Sequence, residues 1–162
     1  MKKTLVFVLL SFSFLNFESY GGKINKGQID EKAISFLKEN YGWNKEDFLV
    51  ISFRQPKNKC HYDNYKNLSK TNRAIAKFSE SIEEKSTRNI LVSSDAEKVK
   101  AYVDLESSYI DFEDFILKTF FEKANSCYGL VVINNEGRYM SIAGEFVTKD
   151  VNSFIHLLKL GY

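Results

Sequence analysis

The scarce chemistry-bearing residues of this chain are Cys60, Cys127, His61 and His156. A thiol reacts as its thiolate, and neighbouring cations favour that form. Cys60 lies in Lys57-Asn58-Lys59-Cys60-His61-Tyr62-Asp63, with two lysines just before it and a histidine beside it. His61 could tune the thiol or hold a ligand; the plainer reading is an exposed side chain. His156 falls off the apolar face of the last helical pattern and should meet solvent. Two isolated histidines and two cysteines do not make a zinc-site spacing, so no metal is expected. There is no glycine-rich phosphate loop, no Gly-x-Ser-x-Gly and no carboxylate pair that periodicity would bring together.

Elements able to position these groups follow from composition and periodicity. The 162 residues are 44% hydrophobic and 15% aromatic, with one Pro and a net charge of +2, which fits one globular domain and excludes disordered or disulfide-scaffold classes. So small a net charge gives no field that would argue for nucleic acid, and the phenylalanines fall at core spacing rather than on a base-stacking platform. Residues 54 to 77 hold seven basic side chains against the single acid Asp63. Lys66, Lys70, Arg73 and Lys77 form a stripe that either recognises an acidic partner or is a solvated helix face.

Lys2 and Lys3 precede an apolar run of about eleven residues, too short for the ~20 that span a membrane, and Ser19-Tyr20-Gly21 provides a small-residue exit. We read residues 1–21 as an export signal, 22–44 as an N-terminal helical extension and 45–162 as the main domain, periplasmic or secreted, with no stable membrane insertion after cleavage. Export implies an oxidising compartment.

Apolar spacing predicts a helix over roughly 28 to 40. Phe48-Leu49-Val50-Ile51-Ser52-Phe53 is apolar nearly throughout, as a buried central strand would be. A long helical pattern carries Tyr65, Leu68, Ile75, Phe78 and Ile82 on one face, and Arg88 to Ser93 is a second buried strand. Ser94-Asp95 caps a short helix, and Asp111 with Asp114 marks another helix start. Tyr128 to Ile133 and Tyr139 to Ala143, joined by Asn134-Asn135-Glu136-Gly137, read as a hairpin, and a final helix opens at Thr148 and ends at Gly161. Trp43 has no assignable core face. The order α-β-α-β-α-α-β-β-α implies an α/β domain: a mixed sheet with helices on both faces, ending in a β-hairpin plus helix.

On that order, on Leu49-Val50-Ile51-Ser52-Phe53 and on Gly129 to Arg138, the chain resembles the thioredoxin-like superfamily, a three-layer sandwich, and within it the exported thiol–disulfide and peroxiredoxin-like branch. The resemblance covers roughly residues 45 to 160 and rests on no catalytic motif. Redox-active relatives carry Cys-x-x-Cys at the start of the helix after the first strand, where this chain has only Cys60, with either Asp63 in place of the second cysteine or Lys57 in place of the first. They carry a cis-proline before the hairpin, where this chain has Ser126-Cys127-Tyr128-Gly129.

The resemblance therefore implies that Cys60 and Cys127 approach each other and can form a disulfide, with Cys60 at a helix N-terminus. It leaves two readings. In one, residual thiol–disulfide activity toward protein thiols or disulfides uses Cys60 as attacking thiolate, Cys127 as resolving partner and His61 as activator, with no cofactor. In the other, catalysis is lost; the domain binds a partner, with Asp63 and Tyr128 at the binding surface, and the Cys60–Cys127 bridge is structural.

Overall fold

A computed structural model describes residues 23–55, 60, 66–121 and 126–162. The export-signal reading of residues 1–21 lies outside them, as do His61 and Asp63. At the centre is strand β2 (Phe48–Arg54), buried along its whole length. Its odd positions Leu49, Ile51 and Phe53 enter one core while Phe48 and Val50 enter another on the opposite face. A strand covered on both faces has no need to alternate, which explains its nearly continuous apolarity.

Parallel β3 (Thr87–Ser93) flanks β2 on one side, with Ile51 opposite Ile90; antiparallel β5 (Tyr128–Asn134) flanks it on the other, with Ile51 opposite Val131. β6 (Arg138–Ala143) returns antiparallel to β5 through a turn at Gly137, whose φ of 80° favours glycine. Two further strands complete a six-stranded mixed sheet in the order β1-β6-β5-β2-β3-β4.

Those outer strands, β1 (Ile24–Gln28) and β4 (Ser108–Ile110), were not expected from the sequence. Every residue of β1 is exposed, so backbone hydrogen bonding to β6 places it and no apolar pattern announces it. β4 is three residues long, too short to display a period.

Helix α1 (Glu31–Tyr41) starts later than expected because Asp30 caps it, accepting from the Ala33 N–H at 2.8 Å, and it stops at Gly42 in the left-handed region. With the segment 112–121 it covers one face of the sheet. Trp43 belongs to this core, fully buried, its indole N–H donating to the Glu46 carbonyl at 2.9 Å. Helix α4 (Thr148–Lys159) covers β5 and β6 on the other face through Val151, Phe154, Ile155 and Leu158.

Helix α2 (Leu68–Glu80) buries only Leu68 fully; Ile75 and Phe78 are half-buried, so its expected apolar face is only partly covered. The basic stripe of Lys66, Lys70, Arg73 and Lys77 is exposed. Helix α3 (Ala96–Val99) is capped by Asp95, which accepts from the Lys98 N–H.

Candidate functional site

β2 and β5 are antiparallel neighbours, with Arg54 opposite Tyr128, so the end of one strand and the start of the other lie at the same edge of the sheet. Gln55 follows β2 and donates its N–H to the Cys127 carbonyl at 2.9 Å, which extends the ladder beyond the strands. That pairing fixes Cys127 beside the exit of β2. Cys60 reaches it and the two form a disulfide with Cα atoms 6.0 Å apart, inside the ~4.4–6.8 Å that a bridge requires.

The bridge closes 67 residues of sequence, including α2, β3 and β4. Cys60 is 2% exposed, with its sulfur 3.7 Å from the Gln55 carbonyl oxygen; Cys127 is half-buried. Parallel β2, β3 and β4 all end at this edge, the place where α/β sheets commonly present their binding groups.

Cys60 itself is not helical, and the helix start expected just after it falls on residues 61–65, outside the described structure; among the described residues α2 begins at Leu68. Tyr128, expected at the binding surface, is half-buried as the first residue of β5, its N–H donating to Ser126 Oγ at 3.3 Å and its carbonyl accepting from Gly144 at 3.0 Å. His156 is exposed on α4, as its spacing implied.

Sequence reasoning gave Arg54 no role. It is 2% exposed; its Nε–H donates to Ser93 Oγ at 3.3 Å and its Nη2 donates to Asn72 Oδ1. Asn72 in turn donates to the Tyr102 carbonyl, which also accepts from the Ser108 hydroxyl. This polar chain ties α2 to the ends of β2, β3 and β4 beside the bridge. A charge at the end of an otherwise apolar strand was the available signal, since a buried guanidinium needs several acceptors.

A second buried polar group lies on the α1 face. Asp111 accepts from the N–H groups of Ile116 and Leu117 at 2.8 and 2.9 Å, the helix-start role its sequence position suggested. Tyr41 Oη accepts from the Phe112 N–H at 3.2 Å and lies 3.5 Å from Asp111. Burial pushes the Asp111 carboxyl above its ordinary range, against the opposing pull of those two N–H donors. Burial also pushes the Tyr41 phenol well up, with the Asp111 charge adding to the shift.

Among the described residues, no group of three or more His, Cys, Asp or Glu is arranged to hold a metal, and no helix is long and apolar enough to cross a membrane. No family model, curated protein or solved structure matches this chain.

Proposed function

We propose that the chain is an exported thioredoxin-like binding module in which the Cys60–Cys127 bridge is a structural brace. The observation that carries this reading is the position of Cys60: 2% exposed and closed against the Gln55 carbonyl. Thiol exchange needs an incoming thiolate to reach a sulfur in line with the bridge, and it is favoured by a stabilised leaving thiolate. Burial works against both.

The thioredoxin-like assignment is supported by two features: parallel β2 and β3 beside antiparallel β5 and β6, and α4 behind the terminal hairpin. Export is supported by the bridge itself, because disulfides persist mainly in oxidising compartments. Cross-linking a loop this long stabilises a fold by about 2 to 5 kcal/mol.

The competing redox reading draws on the half-buried Cys127 at the sheet edge. There an external thiolate would attack Cys127 Sγ, the S–S bond would break, and Cys60 would leave as a thiolate. Titrating the mature protein against glutathione redox buffers, with thiol state read by mass spectrometry, separates the two. A brace stays closed to below about −300 mV, and Cys60→Ser/Cys127→Ser loses about 2 to 5 kcal/mol in denaturant unfolding. Opening within the ordinary glutathione range, together with catalysed reduction of a protein disulfide, would overturn the brace.

A further inference from the structure

A cleft of about 540 Å³ lies over the β1–β6 side of the sheet, walled by the π-helical turn Leu117–Phe121 and floored by β6. Alternation along β6 turns Tyr139 and Ser141 toward this face, with Ser141 opposite Asn25 of β1 and Val131 of β5. Ser141 is 1% exposed, yet its hydroxyl has no hydrogen-bond partner among the described residues and lines the open cleft. The hydroxyl is not one of the fully buried side-chain atoms left without a partner, so it reaches the open cleft and can donate to something that enters.

Lys23 and Lys118 border the same space, and no described lining residue is acidic. Lys118 pairs with Asp114 at 3.6 Å, but both are well exposed and such a pair is weak. Lys23 makes no ion pair among the described residues, whereas Lys26, opposite Met140, turns to the α4 face with its ammonium over the Tyr162 ring. Phe120 and Tyr139, in edge contact at 4.9 Å, offer apolar surface beside these charges. Close against the strand floor, the Phe121 ring rests on Gly129, where a Cβ would stand 2.4 Å from it. Short π-helical turns recur at functional sites because they re-aim side chains.

We propose that this cleft binds a small organic oxyanion, a carboxylate or phosphate ester carried on an apolar body. The lysines supply the charge, Ser141 a directed hydrogen bond and the Phe120–Tyr139 wall the apolar contact. The size and concavity suit a small molecule better than a flat lipid surface. The inference rests on the binding-module reading, and the two fail separately, because the glutathione titration reads the thiols and the experiment below reads the cleft.

The probe is 2-naphthyl phosphate, titrated into the full mature protein and followed by amide chemical shifts, with neutral 2-naphthol as comparison. Saturable shifts clustered at Phe120, Tyr139 and Ser141 are expected, with naphthol at least tenfold weaker and the phosphate weakening as salt rises. Ser141→Ala, which breaks no internal hydrogen bond, should weaken binding several-fold, and Lys23→Gln/Lys118→Gln about tenfold, both with unchanged unfolding midpoints. Equal binding of naphthol, shifts centred elsewhere, or an unaffected Ser141→Ala variant would overturn the proposal. So would binding to phosphatidylglycerol vesicles, absent with phosphatidylcholine, from a protein that ignores the soluble phosphate.

Discussion

The two faces of the β5–β6 hairpin are covered in different ways. On the α4 side, Leu130, Val132, Met140 and Ile142 meet Val151, Phe154, Ile155 and Leu158 in an apolar contact. On the opposite side, Val131 and Ile133 join a core that also encloses Trp43, Tyr41 and the Asp111 carboxylate nearby, and Ser141 opens onto the lysine-bordered cleft. One helix with a continuous apolar stripe seals a sheet face, whereas a π-helical turn leaves space beside it and needs polar anchors to hold its start. The first face is built for stability; the second has room for a ligand.

That contrast can be broken experimentally. The largest effect is expected at Phe154→Ala on the sealed face, where a cavity with no way to collapse should cost about 3 to 5 kcal/mol in denaturant unfolding. A loss below 1 kcal/mol would mean that α4 is not the seal described.

On the open face, Gly129→Ala drives a methyl to within 2.4 Å of the Phe121 ring, which is itself stacked on Phe53 at 4.9 Å and has little room to yield. A destabilisation of about 1 to 3 kcal/mol is expected. Chemical-shift changes should be confined to the cleft wall.

Asp111→Ala strands the N–H groups of Ile116 and Leu117 and should cost about 1 to 3 kcal/mol. The pH dependence has an unusual sign. Because burial raises the folded pKa, the native state holds a proton that the unfolded chain has released between the ordinary carboxylate range and that higher value. The Asp111 contribution therefore favours the fold at low pH and declines as pH rises through the folded pKa. Asp111→Asn should remove that component from the stability–pH curve, and an unchanged curve would contradict the burial argument.

The smallest effect is expected at Glu84, whose hydrogen bond and ion pair with Lys159 hold its carboxyl below the usual range. Its contribution is present above the ordinary carboxylate pKa and is lost as pH falls through the lowered value. Both partners are partly solvated, so Glu84→Gln should cost under about 1 kcal/mol, and less in high salt.

Much of the framework was legible before any coordinates. The apolar runs of β2, β3 and β5 and the turn at Gly137 are local signals that the structure repeats, as is the Val151–Leu158 stripe. The candidate site was less legible. The Cys60–Cys127 pairing followed from a resemblance and is present as a bridge, while the helix start expected after Cys60 lies outside the described residues. Arg54 and Ser141 carried no motif; their roles arise from burial, which no short window of sequence encodes.

The sequence by itself determined which segments could become buried strands and amphipathic helices, because periodicity and capping act over a few neighbouring residues. Only the tertiary structure decided that exposed Ile24–Gln28 is a strand, since its hydrogen bonds are made to β6 more than a hundred residues away. It likewise seated Trp43 in the core and enclosed Arg54 between acceptors from β3 and α2. Ser141 was left facing a cleft for the same reason: a side chain's surroundings are set by the chain segments that fold over it.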